Sequence, residues 1–189
     1  RYSITNLMLI YVVRHPYTKS NVQKITQGHS DSPLYWIGII QAHILGMKLK
    51  NNEISKIITS DLGRCVQTSN IINKFLKVPI TKTEKLREQN LGKYNGVPKS
   101  KIKEEFDEDD PKAIPKGGES LFQVKERVIT YLKTMKDKDT VLIVTHSGCF
   151  QSILSEAYNI PLNDKMCRTK PLKIGKLSVT KEITLIELN

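Results

Sequence analysis

Four places in this sequence set ionisable side chains directly after candidate strands, three of them short apolar runs. Arg14-His15 follows Leu7–Val13, and Ser60-Asp61 ends the run Lys56–Ser60, with Arg64 one turn further on. Arg87-Glu88 follows Ile80–Leu86, and His146-Ser147-Gly148 follows Thr140–Thr145. Runs of this length, rich in β-branched residues, read as buried strands of a parallel sheet. Ligands of such sheets bind beyond the carboxyl ends of the strands. Two histidines, two or three arginines and one glutamate therefore converge on one sheet edge. His29 and His43 fall in a loop and a helix and carry no such signal.

That set suits phosphoryl transfer. A phosphate monoester carries up to two negative charges, and its transfer needs charge neutralised on the equatorial oxygens and a nucleophile in line with the leaving group. Guanidinium groups grip two phosphate oxygens in a fixed fork. A neutral imidazole can attack phosphorus, and a carboxylic acid can protonate the departing oxygen.

The elements that position these residues alternate strand and helix. Helices are predicted over 32–50, with Ile37, Ile40, Ile44, Leu45 and Leu49 inward and Asp31 or Ser32 as its cap, and over 62–76, 120–135 and about 148–158. Ile80–Leu86 reads as a third, more exposed strand, and Leu177–Leu188 as added edge strands. The predicted class is α/β, a three-layer sandwich with a mostly parallel central sheet flanked by helices. The length of 189 residues fits a single domain over 1–189. Residues 99–118 interrupt the alternation. Six acids fall within Glu104–Asp110, followed by Pro111 and Pro115, which reads as an insertion or a lid.

The chain starts at Arg1 rather than Met, as a trimmed sequence would. Its longest apolar run, Leu7–Val13, falls short of the roughly 20 residues that span a bilayer and is followed by no small-residue cleavage site, so neither membrane insertion nor export is expected. Three irregularly spaced cysteines (Cys65, Cys149, Cys167) form no disulfide or zinc pattern. A cytoplasmic protein with reduced thiols is expected. The formal charge of +11 comes mainly from 24 lysines against six arginines. A basic surface of this kind serves nucleic acid, anionic membranes or anionic small substrates, or reflects a compositional bias toward solvated lysines, the reading favoured here; without basic–aromatic interleaving or an Arg-rich run, nucleic acid is not expected.

In order along nearly the whole chain, these motifs resemble the histidine phosphatase superfamily, the branch containing cofactor-dependent phosphoglycerate mutase. Arg14-His15-Pro16-Tyr17-Thr18 resembles R-H-G-x-T/S, and Asn21 and Gln27-Gly28 match its downstream Asn and Gln-Gly. Asp31-Ser32-Pro33-Leu34, Gly38 and Gln41-Ala42 look like D-x-P-L-T-x-x-G-x-x-Q-A. The stretch from Ser60 to Thr68 resembles S-D-L-x-R-A-x-Q-T, and that from Leu86 to Gly96 resembles L-x-E-x-x-x-G-x-x-E-G. Gly118-Glu119-Ser120 matches G-E-S, and His146-Ser147-Gly148 resembles H-G-G.

The resemblance implies a phosphoglycerate mutase-like fold, His15 as the phosphohistidine and Glu88 as proton donor and acceptor. Arg14, Arg64 and His146 would form the phosphate pocket, and Asn21, Gln27, Gly28 and Ser147 would contact phosphate or substrate. No metal and no cofactor are implied. Pro16 stands in place of the family's Gly and removes a backbone N–H. Tyr17 replaces an acid or Gln and could reshape the pocket floor. Asn95 replaces the acid of the E-G pair.

Only 20 residues separate Gly96 from Gly117, without the Arg-Arg, Pro-rich insertion of the mutases. The sequence therefore favours a phosphatase acting on a small phosphorylated substrate, with phosphoglycerate mutase as the alternative. A non-catalytic phosphate-binding or scaffold protein is a third reading, which the presence of His15 and Glu88 opposes. Lys56–Ser60 and Leu177–Leu188 are candidate edges for pairing into a homodimer.

Overall fold

The computed structural model describes residues 8–102, 105–107, 109–135, 139–180 and 182–189. Its strands are β1 (Met8–Arg14), β2 (Lys56–Ser60), β3 (Ile80–Thr83), β4 (Val141–Thr145), β5 (Ile174–Val179) and β6 (Ile183–Leu188). Its α-helices are α1 (Lys19–Val22), α2 (Trp36–Leu49), α3 (Gly63–Leu76), α4 (Lys99–Ile102), α5 (Leu121–Thr134) and α6 (Ser147–Tyr158). Leu7, the expected first residue of β1, lies outside the described residues.

The six strands form one sheet in the order β3-β2-β4-β1-β5-β6. β3, β2, β4 and β1 run parallel, whereas β5 is antiparallel to β1 and β6 to β5. The central strands feed two cores by strict alternation, because successive side chains point to opposite faces. Ile10, Val12, Val141 and Ile143 face α5 and α6, where Val124, Val128, Leu132, Phe150 and Ile153 cover them. Tyr11, Val13, Leu142 and Val144 face α2 and α3, where Leu45, Leu49, Cys65 and Ile72 close the opposite layer. This is the expected three-layer α/β sandwich. Among the described residues, no helix is long and apolar enough to cross a membrane.

Several boundaries differ from expectation. β3 stops at Thr83, and Glu84–Leu86 is a 3-10 turn whose cap is the Thr83 side chain. Leu86 is thereby rolled into the core instead of extending the strand. α5 begins as expected after Ser120, which forms a reciprocal capping box with Gln123. β2 is not an edge: it lies between β3 and β4. β5 is interior as well, so the sheet's edges are β3 and β6.

α2 departs most. It starts at Trp36 rather than Ser32, after Tyr35, which gives no side-chain cap. Its inward face is Gly38, Ala42, Leu45, Gly46 and Leu49, while Ile37 and Ile40 are exposed. The helix is apolar nearly all round, so periodicity could not tell inside from outside. The small residues Gly38, Ala42 and Gly46, one turn apart, mark the side that packs.

Candidate active site

The carboxyl ends of β1, β2 and β4 open onto a cleft of about 390 Å³. Its lining includes Arg14, His15, Asn21, Gln27, Gly28, Arg64, Glu88 and Ser147. Eight of the nine candidate site residues thus share one cavity. The ninth, His146, is fully buried and lies behind the lining.

His15 follows β1 and is held there by its own amide, which donates to the Thr145 carbonyl of β4 (2.8 Å). The His15 ring is fixed at both nitrogens. Nδ1 is 2.8 Å from the Pro16 carbonyl, and Nε2 is 3.3 Å from the Arg64 Nε–H. A guanidinium can only donate, so Nε2 carries the lone pair and Nδ1 the proton. Pro16 therefore acts through its carbonyl, which sets the tautomer that leaves Nε2 nucleophilic. Tyr17 is exposed and does not line the cleft, contrary to the expectation that it shapes the pocket floor.

Arg64 is almost wholly buried at the start of α3. Its guanidinium donates to the carbonyls of Gly28 (2.7 Å) and Ser30 (2.9 Å) as well as to His15. Asp31 accepts from the backbone amides of Gly63 and Arg64 and from the Arg64 side chain. Asp31 thus caps α3 rather than α2. Gly28 sits at φ +49°, and a Cβ there would lie 2.0 Å from Asn95 Oδ1. Only glycine lets the chain turn there and aim its carbonyl at Arg64. Asn95 Oδ1 in turn accepts from the amides of His29 and Leu91, so the residue in place of the family's acid braces this turn from outside the cleft.

Arg14 is largely buried, and its Nε finds no partner among the described residues. One terminal N–H reaches the Thr169 carbonyl (3.3 Å). Burial lowers its pKa from the usual arginine value, opposed by the nearby Glu88. Glu88 Oε1 accepts from the amides of Gln89 and Gly148, both at 3.0 Å. A Cβ on Gly148 would stand 2.6 Å from that oxygen, so the second glycine of the H-G-G-like motif makes room for the carboxylate. Thr18 caps α1 in a capping box with Asn21 and donates to Gln27 Oε1 (3.1 Å), which sets both amides on the cleft wall.

His146 stacks edge-on to His15, with ring centroids 5.2 Å apart, and its Nε2 is 2.8 Å from Ser60 Oγ. Arg87, the third arginine considered, is not on the cleft. It pairs with Asp61, whose carboxyl it holds below the usual aspartate range. Cys149 is buried and donates to the Arg87 carbonyl (3.0 Å); burial pushes its thiol up to about 12.

The sequence reading missed part of the wall. Lys99, Asp109, Gln151, Asn163, Arg168 and Thr169 also line the cleft. Arg168 and Asp109 meet across its mouth at 2.9 Å. Two of these belong to the 99–118 segment, whose described residues form α4 and turns; Lys103 and, in its acidic run, Glu104 and Glu108 lie outside the described residues.

Burial is the main cause of a proton affinity well below the ordinary value of 6.5 at both His15 and His146. The positive charge of Arg64 adds to it in each. Below about pH 6.5 the unfolded chain takes up protons that these folded imidazoles refuse. Their contribution to stability is therefore complete above that pH and falls as the pH drops, by about 1.4 kcal/mol per pH unit for each histidine. Denaturant unfolding between pH 5 and 7 is expected to show this slope, and His15→Asn to remove about half of it. An unchanged slope in His15→Asn would contradict the assignment.

Comparison with known proteins agrees with the geometry. The family model of the histidine phosphatase superfamily (branch 1) matches residues 10–184. A curated relative, the probable phosphoglycerate mutase GpmB of Yersinia pestis (strain Pestoides F), is 31% identical over 166 residues, covering 82% of this chain and 77% of that protein. Among solved structures, YhfR of Bacillus stearothermophilus superposes with a TM-score of 0.84 at 28% identity, covering 94% of each chain. A putative alpha-ribazole-5'-P phosphatase of Escherichia coli K-12 shares the fold at TM-score 0.84, 24% identity and 96% of each chain. With its motifs gathered on one cleft and nearly its full length matched, the chain belongs to the histidine phosphatase superfamily, branch 1.

Proposed function

We propose that the chain hydrolyses small phosphomonoesters by way of a phosphohistidine on His15. The observation that carries this reading is the His15 ring, with Nδ1–H committed to the Pro16 carbonyl and the Nε2 lone pair turned toward Arg64. Arg14 and Arg64 neutralise the phosphate oxygens as Nε2 attacks phosphorus. The bond to the leaving oxygen breaks, and Glu88 supplies that oxygen with a proton. Water then attacks the phosphohistidine while Glu88 takes a proton from it, and the P–N bond breaks to return neutral His15. His146 supports the His15 ring from beneath, and Asn21, Gln27, Gly28 and Ser147 line the cleft where phosphate and substrate body sit. Residues 99–118 serve as a lid over one wall, within a single domain.

Hydrolysis is favoured over transfer back to substrate by the short 99–118 segment. It puts Lys99, Asp109 and Pro111 on the cleft but no arginine pair to grip a sugar acid and exclude water. The named relative supports the second reading, a phosphoglycerate mutase. A panel of phosphorylated metabolites assayed for inorganic phosphate, beside phosphoglycerate interconversion primed with bisphosphoglycerate, separates the two. Phosphate release is expected to dominate; efficient interconversion with little release would reverse the choice.

A further inference from the structure

The outward face of α2 carries an unusual run of apolar side chains. From Trp36 to Met47 it has no Asp, Glu, Lys or Arg, in a chain with 26% charged residues. Trp36, Ile37, Ile39, Ile40 and Met47 are all exposed, Trp36 by 58% and Ile40 and Met47 by 51% each. Trp36, Ile40, His43 and Met47 follow one another at spacings of four, three and four. That is the seam by which one helix packs along another. The inward face of α2 is already filled by the sheet and α3, and apart from the His43–Phe75 ring contact with α3 the described residues bring no second helix to this seam.

We propose that α2 is a dimerisation face, on which the α2 helix of a second copy packs antiparallel about a two-fold axis. The seam is self-complementary. Trp36 and Met47 lie about 16 Å apart along the helix, so in the antiparallel pair Trp36 of one copy meets Met47 of the other, and Ile40 meets His43 on either side of the axis. At on the order of 200 Å² for a fully exposed large side chain, the five residues and neighbouring Tyr17 leave roughly 550 Å² of surface per copy. Two copies would cover roughly 1,100 Å², above the approximately 1,000 Å² that a specific interface needs. Charge points the same way. Each copy carries +11, and Trp36–Met47 sets no like charges opposite one another at the seam.

The seam touches the catalytic segment. The Tyr17 amide donates to Gln41 Oε1 of α2 (3.3 Å), and the Tyr35 amide before α2 donates to the Tyr17 carbonyl (2.9 Å). Pairing of α2 would therefore brace the turn two residues beyond His15.

Light scattering after size exclusion, at micromolar protein, is expected to give twice the chain mass of 21.5 kDa. Ile40→Glu is expected to give the monomer mass with unchanged far-UV circular dichroism, since the side chain is exposed and touches no catalytic group. Ile40→Cys is expected to form a covalent dimer under mild oxidation; Cys65, Cys149 and Cys167 are buried and give a low background. A wild-type monomer would overturn the proposal. So would an Ile40→Glu protein that stays dimeric, or a monomer that binds vesicles of phosphatidylserine through this face.

Discussion

Replacing His15 with alanine is expected to lower phosphomonoester turnover by on the order of 10⁴-fold or more. Without the imidazole, water must attack phosphorus directly, in a cleft arranged around a nucleophile on the protein. Arg14, Arg64 and Glu88 would remain and sustain only the residual rate that charge neutralisation and acid catalysis give. The variant should fold. His15 forms the cleft wall rather than the core, its backbone amide keeps its bond to Thr145, and the buried cost of an unprotonatable imidazole disappears. Rapid quench with ³²P-labelled substrate is the direct readout. Wild type is expected to carry an acid-labile, alkali-stable label on a single-turnover timescale, and His15→Ala none. Labelling of His15→Ala at the wild-type rate would place the nucleophile elsewhere.

The sheet and most of the site were legible in the sequence because both rest on short-range signals. Continuous apolar runs ending in polar pairs locate β1, β2 and β4, and parallel-sheet geometry brings their ends together whatever the loops do. The misreadings arise where local pattern is silent. Asp31 looked like the cap of the next helix in sequence, yet it caps α3, a contact over 33 residues that no window contains. Ile37 and Ile40 looked like core because hydrophobicity is a sound guide only when the opposite face is polar, and α2 has no polar face. Leu86 seemed to continue β3, but Thr83 caps a 3-10 turn first. Arg168 and Thr169 follow α6 in an irregular stretch, where neither periodicity nor a strand end marks a residue for the cleft. Their arrival there depends on the antiparallel return of β5 beside β1.

Substituting Arg64 is expected to be the next most damaging change, because one side chain serves two structures. Its Nε–H faces His15 Nε2 while its terminal nitrogens hold the carbonyls of Gly28 and Ser30, with Asp31 fixing both its backbone and its side chain. Loss of one preorganised donor to developing charge typically costs about 10²–10³-fold in rate, so Arg64→Ala should fall by at least that in kcat/KM and lose stability as well. Arg64→Lys should recover little, since one ammonium cannot span the imidazole and two carbonyls that a guanidinium fork reaches together. A purely structural role is separated by pH. Arg64 is the second cause, after burial, of the low proton affinity of His15. Without it His15 protonates more readily, and a protonated imidazole cannot attack. The acid limb of kcat/KM is therefore expected to move to higher pH in Arg64→Ala and to move less in Arg64→Lys, which keeps the positive charge. An acid limb that stays in place in Arg64→Ala while activity falls would show that Arg64 only holds the Gly28–Asp31 turn, and wild-type activity in Arg64→Lys would remove the fork from the mechanism.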